Sequence, residues 1–216
     1  MEITVNDIAF GNPTNAQRLL IAKPSFLNKV FDEFIGTPIP LNDSSITKEE
    51  LNEISERIAD ISDDLNKEHL HRYLYSDQNF AQFLVNNLKS KNLDLIELYR
   101  QISEDVDPLI MKLKFRFNRP RPAQLASYYK LNLFPYNLSK IDTPSFPSRT
   151  VILSFLICEI VGNRVPTLYE QAQTIKEYIA SSRSYLGVNY ITDIEFANQL
   201  GEAIITDPEF TKKYQI

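Results

Sequence analysis

Tryptophan is absent from these 216 residues, cysteine occurs once, histidine twice and glycine five times. The lone thiol, Cys158, excludes an internal disulfide framework and a thiolate zinc cluster. With only His69 and His71 a histidine-rich metal site is excluded too, and no metal is expected. Few glycines leave little material for hairpin turns. No run approaches the roughly 20 apolar residues of a transmembrane helix, so no membrane span is expected. The longest apolar block, 151–157, is broken soon after by Glu159. The opening residues, Met1 to Asp7, lack the basic and apolar regions of a signal peptide. A net charge of −5 argues against a nucleic-acid partner. What is present, 43% hydrophobic and 24% charged residues, is the composition of an ordinary globular domain. Abundant Asn, Ile, Lys and Tyr without Trp suits an AT-rich coding genome. The location expected from these features is cytoplasmic or virion-associated, not secreted.

Apolar spacing of three and four dominates and predicts helices. One is expected from Thr47 to about Asn66, with Thr47 as N-cap, Glu50 closing a capping box, and Leu51, Ile54, Ile58 and Ile61 as its apolar stripe. Others are expected over 79–89 and from Leu93 toward Phe117, the latter kinked or broken at Pro108. Residues 118–147 are rich in turn signals, including Pro120, Pro122, Pro135 and Pro144. A very apolar helix over 148–161 closes at Gly162-Asn163, Pro166 opens the next over 168–182, and a last one spans 190–205 before Asp207-Pro208 breaks it. The first forty residues, with Pro13, Pro24, Pro38 and Pro40, are the least regular. Together these describe one all-α, single-domain helical bundle over residues 1–216.

Five cations crowd Lys112 to Arg121 in an otherwise acidic chain. Alone, that segment reads as a solvated basic face, a proline-rich docking peptide or a nucleic-acid patch, with Phe115 and Phe117 on a helical core pattern. Two further segments change its meaning: Thr143-Pro-Ser-Phe-Pro-Ser-Arg-Thr150, ahead of the apolar helix, and Ser182-Arg-Ser-Tyr-Leu-Gly-Val-Asn-Tyr-Ile-Thr-Asp193. In this order the three resemble the signature segments of the type 2 phosphatidic acid phosphatase (PAP2) and vanadium haloperoxidase superfamily, over roughly the second half of the chain. That family's first segment is a lysine, six residues, then Arg-Pro. Lys114 and Arg121 fill it, and so do Lys112 and Arg119. The following Pro-Ala-Gln-Leu-Ala126 looks like the family's usual continuation and favours Lys114 and Arg121. Pro147 and Ser148 fill half of the second motif, and Ser182, Arg183 and Asp193 fill the third.

The resemblance implies the acid-phosphatase/haloperoxidase fold, with the soluble branch a better match than the membrane-embedded lipid phosphatases. It also implies a pocket in which Lys114, Arg121, Ser148 and Arg183 neutralise an oxyanion. Two positions depart. Arg149 and Thr150 stand where the family has glycine and its acid histidine, and Asn189 stands where it has its nucleophilic histidine. A carboxamide does not attack phosphorus or anchor vanadate, and an aliphatic hydroxyl is too weak an acid to protonate a leaving oxygen at pH 7. His69 and His71, at i and i+2 before the first motif, point to different sides of a helix, and Cys158 sits in an apolar helix as a core residue.

The expectation is a catalytically silent, phosphatase-like protein without a cofactor, whose pocket takes phosphate, sulfate, vanadate or a phosphorylated ligand. Arg149 adds positive charge there. Alternatively Asp193, with no histidine to orient, pairs with Arg149 or Arg183 and closes the pocket. Two other readings stay open. One is a structural or assembly protein that binds a partner through Tyr128, Tyr129, Phe134 and Tyr136, a strip that otherwise packs over the pocket mouth. The other is a phosphoesterase with altered residues, using a water activated by Asp193.

Overall fold

The computed structural model describes residues 4–90, 93–133, 136 and 141–216, and every regular element among them is helical. In order these are α1 (Asn15–Ala22), α2 (Asn28–Phe34), α3 (Ser45–Ile61), α4 (Lys67–Gln78), α5 (Phe80–Leu88) and α6 (Leu95–Phe117). Then follow α7 (Pro122–Ala126), α8 (Arg149–Arg164), α9 (Tyr169–Tyr185), α10 (Ile191–Thr206) and α11 (Pro208–Tyr214). A helix apolar on every side must be surrounded, and α8 is the one. Val151, Ile152, Leu153, Leu156, Ile157, Cys158, Ile160 and Val161 are all fully buried there, against α6, α9 and α10. Phe146, just ahead of it, joins Phe117 of α6 and Phe196 of α10 in an aromatic cluster with centroids 4.9 and 4.3 Å from its own.

Several expectations about elements are corrected by their neighbours. Helix α8 does not end at Gly162 but runs on to Arg164, because that glycine is a contact surface: a Cβ there would lie 2.9 Å from the Tyr169 ring. Pro108 neither ends nor splits α6, which continues from Leu95 to Phe117. A proline cannot donate to the carbonyl four residues back, and that carbonyl, Glu104 O, instead accepts from Lys23 Nζ at 3.3 Å. Helix α3 starts one turn before Thr47, capped by Ser44. Thr47 is buried inside it, its hydroxyl donating to Leu41 O, and Glu50 is thereby turned inward. The first forty residues are more regular than expected. They hold α1, capped reciprocally by Thr14 and Gln17, and α2. Asp207-Pro208 does break a helix, and it also opens α11, with Asp207 as N-cap and Pro208 in the first turn.

Candidate functional site

The three motif segments meet at the N-terminal end of α8. The cavity there, about 490 Å³, is walled by Lys114 and Asp107 of α6, Arg121 ahead of α7, Ile141–Thr143, Ser148–Thr150, Arg183 of α9, and Val188 and Asn189 in the turn before α10. The end of α4 and start of α5 (Asp77–Gln82), Gln17 of α1 and Tyr99 of α6 complete it. Helix α8 runs sixteen residues, so its first N–H groups and dipole favour negative charge at this end.

Each cation is held by a different route. Lys114 is 1% exposed and donates to Pro144 O at 2.6 Å. Burial, together with Arg121, Arg149 and Arg183, pushes its ammonium well below the usual lysine range. Arg121 donates to Thr143 O at 2.9 Å and Val188 O at 2.7 Å, and burial pushes it down to about 10. Neither side chain makes an ion pair among the described residues. Arg149, by contrast, forms a two-bond pair with Asp107 at 2.6 and 2.8 Å. Arg183 forms a single bond from Nη1 to Asp77 Oδ1 at 2.6 Å. Four cationic side chains thus face three carboxylates, Asp77, Asp107 and Asp142. The positive charge expected from Arg149 is cancelled locally by Asp107.

Asn189 is 2% exposed, and its carboxamide is fully engaged. Its Nδ2 donates to Ser145 O at 2.7 Å and Asp193 Oδ2 at 3.2 Å, and its Oδ1 accepts from Ser148 Oγ at 3.2 Å. The Ser148 hydroxyl is therefore turned toward Asn189. Thr150, half-buried in the first turn of α8, lies on the cavity wall.

Asp193 pairs with neither Arg149 nor Arg183, and the cavity is not closed by it. It lies behind the wall, fully buried. Its Oδ1 accepts from Arg119 Nη1 at 2.7 Å, and its Oδ2 accepts from Asn189 and from Tyr190 N at 3.0 Å. Arg119 also reaches Thr192 Oγ1 at 2.7 Å and Glu50 Oε2 at 3.0 Å, with its guanidinium 3.9 Å from the Tyr190 ring centroid. Glu50 Oε1 in turn accepts from Thr192 N at 2.6 Å. Its local capping role is thus replaced by a long-range one.

The two pairs that fit the first segment's spacing occupy different places. Lys114 and Arg121 line the cavity. Arg119 belongs to the network behind it, and Lys112 lies over the Phe31 ring at 5.9 Å. His69 and His71 are exposed on α4 and do not line the cavity. Cys158 is fully buried, and burial pushes its thiol up to about 12. Of the aromatic strip, Tyr128 is exposed, Tyr129 donates to Asn42 O at 2.6 Å and the Tyr136 hydroxyl meets that of Ser62. Phe134 lies outside the described residues. None of the three described tyrosines lines the cavity, whereas Ile141–Thr143 do. Sequence reasoning missed Gln17, Asp77, Tyr99, Asp107 and Asp142. They belong to no motif, and only packing brings α1, α4 and mid-α6 to this end of α8.

A recess of about 460 Å³, apolar at Leu20 and Ile96 and charged at Lys23, Arg100 and Glu104, adjoins the cavity and shares Ala81, Tyr99 and Asp107 with it.

The helical arrangement around α8 is the fold of a solved PAP2-type structure. Among solved structures it is similar to a transmembrane PAP2 type phosphatidylglycerolphosphate phosphatase from Bacillus subtilis. The TM-score is 0.50 at 17% identity, over 87% of this chain and 91% of that one. No protein-family model matches the sequence, and no curated protein matches it either. The likeness overturns the expected cytoplasmic or virion-associated location. A transmembrane enzyme carries this fold over most of its length, so the fold points to membrane association as readily as away from it. The expectation rested on the lack of an apolar span. No helix among the described residues is long and apolar enough to cross a membrane, but that does not select one branch of the fold over the other.

Proposed function

We propose that this protein is a degenerate member of the PAP2 group that holds a phosphate-like anion without hydrolysing it. The observation that carries this reading is the carboxamide of Asn189. It stands where the family's nucleophile would be, with both ends hydrogen-bonded inside the wall. Neither of the chain's histidines is among the residues of that wall, and loss of a nucleophile costs on the order of 10⁶ in turnover. Asp193 is a poor base for activating water, because it is fully buried, does not line the cavity, and already accepts from Arg119, Asn189 and Tyr190 N.

Anion binding is supported by Lys114 and Arg121. Two cations buried side by side repel each other, and a bound anion would relieve both that repulsion and their desolvation. The apolar side of the adjoining recess favours a phosphorylated ligand with an apolar portion, in keeping with the phosphatidylglycerol phosphate named for the Bacillus subtilis enzyme.

The test is a thermal-shift titration with phosphate and vanadate beside a para-nitrophenyl phosphate assay. A saturable shift is expected, about 2.7 kcal/mol at a hundredfold excess over Kd. It should be absent in Arg183→Ala measured against that variant's own baseline, and turnover should be undetectable. Turnover abolished by Asp193→Ala would establish a phosphoesterase instead. The absence of any shift would leave a structural scaffold.

A further inference from the structure

The four cations of the cavity wall are not served alike. Arg149 is bonded to Asp107 and Arg183 to Asp77. Arg121 meets no carboxylate among the described residues, but its guanidinium reaches Thr143 O, Val188 O and, at 3.4 Å, Thr143 Oγ1. Lys114 is served least. Among the described residues its side chain has one partner, Pro144 O, where an ammonium can donate three bonds. At 1% exposure, bulk water makes up little of the difference.

The charged groups around Lys114 come from several elements. Arg121 ahead of α7, Arg149 of α8 and Arg183 of α9 share its cavity wall and oppose a charge on it, and Asp193 of α10, behind the wall, favours one. Asp77 of α4 and Asp107 of α6 are engaged by Arg183 and Arg149, and Asp142 completes the set. Burial and three guanidiniums thus outweigh one carboxylate, and before an anion arrives they favour the neutral amine. The wall then carries three guanidiniums and three carboxylates. An oxyanion adds negative charge to the cavity, and the balance at Lys114 turns toward the ammonium.

We propose that this cavity takes an oxyanion together with a proton from solvent, which converts the Lys114 amine to an ammonium. The coupling rests on the anion-binding reading above and makes the affinity of the site fall as pH rises. Linkage is reciprocal, so a proton held more tightly with the anion bound also tightens the anion wherever Lys114 would otherwise be neutral. Neither histidine lines the cavity, and Arg121, pushed down to about 10, largely keeps its proton at pH 9.

Sulfate has no proton of its own to exchange in this range, unlike a phosphate monoester, which titrates at about pH 6. Isothermal titration calorimetry of the full chain with sodium sulfate at pH 9, in buffers of unlike ionisation enthalpy, is expected to show uptake approaching one proton per sulfate bound. The affinity should fall by at least about tenfold from pH 6 to pH 9, since one coupled proton is worth up to about tenfold per pH unit. Lys114→Met should bind sulfate more weakly, with the uptake gone and the pH dependence reduced to less than about threefold. Lys114→Arg, which keeps its charge throughout, serves if the methionine variant does not fold or binds too weakly to measure. Sulfate binding without proton uptake in the wild-type protein would overturn the coupling and leave anion binding intact. Uptake persisting undiminished in either variant would also overturn it, by placing the proton elsewhere. Binding of neither sulfate nor phosphate would sink the anion-binding reading itself.

Discussion

The Asn189 carboxamide donates to Asp193. Its Nδ2 stands 3.2 Å from Asp193 Oδ2, so the carboxylate that would orient a ring nitrogen is still positioned to do so. A histidine at this place is expected to donate its Nδ1–H to Asp193 and turn its other nitrogen toward the cavity. Thr150 supplies no acid, but para-nitrophenolate leaves without protonation. Asn189→His should therefore release a burst of para-nitrophenol stoichiometric with protein, read by stopped-flow absorbance, followed by slow or no turnover. No burst from a folded variant would show that the cations do not bring a phosphate in line with residue 189. That residues 114, 121, 148, 183 and 193 belong together was legible from motif spacing. Their partners were not, since Asp77, Asp107 and Glu50 carry no local signal that distinguishes them from surface acids.

Helices α8, α9 and α10 were legible because their apolar residues recur at helical spacing, and the near-continuous apolar face of α8 marked it as central. Boundaries and breaks were less so, because what decides them comes from other elements. Lys23 on the far side of the sequence satisfies the carbonyl that Pro108 leaves free, and α6 stays whole. Gly201 of α10 makes the same point about packing. A Cβ there would lie 2.8 Å from Phe155 Cγ and 3.2 Å from its Cβ, the anchored end of that side chain. In isolation Gly→Ala stabilises a helix by about 1 kcal/mol. Here the overlap should cost roughly 1–3 kcal/mol. Urea unfolding of Gly201→Ala is expected to show a net loss, and a gain would mean that α8 and α10 separate easily.

Across the whole molecule the ionic network behind the cavity ties α3, the residues ahead of α7 and the start of α10 together. Arg119 is its hub, 2% exposed, between Glu50 and Asp193. Removing one partner from a buried network leaves the other charges uncompensated. Arg119→Met is thus expected to destabilise by about 3–5 kcal/mol in chemical denaturation, and Arg119→Met with Glu50→Gln by less. A loss in the double variant equal to the sum of the Arg119→Met and Glu50→Gln losses would mean that Glu50 is not coupled to Arg119. The sequence by itself determined the helical class, the central helix and the set of motif residues that converge, because those follow from local periodicity and fixed spacing. Only the tertiary structure decided which cation meets which carboxylate, that Asp193 turns to Arg119 and leaves the cavity open, and that Asp77 stands half-paired on its wall. Pairing between charges depends on distances across the bundle, and residues 50, 119 and 193 become neighbours only when the segments that carry them pack.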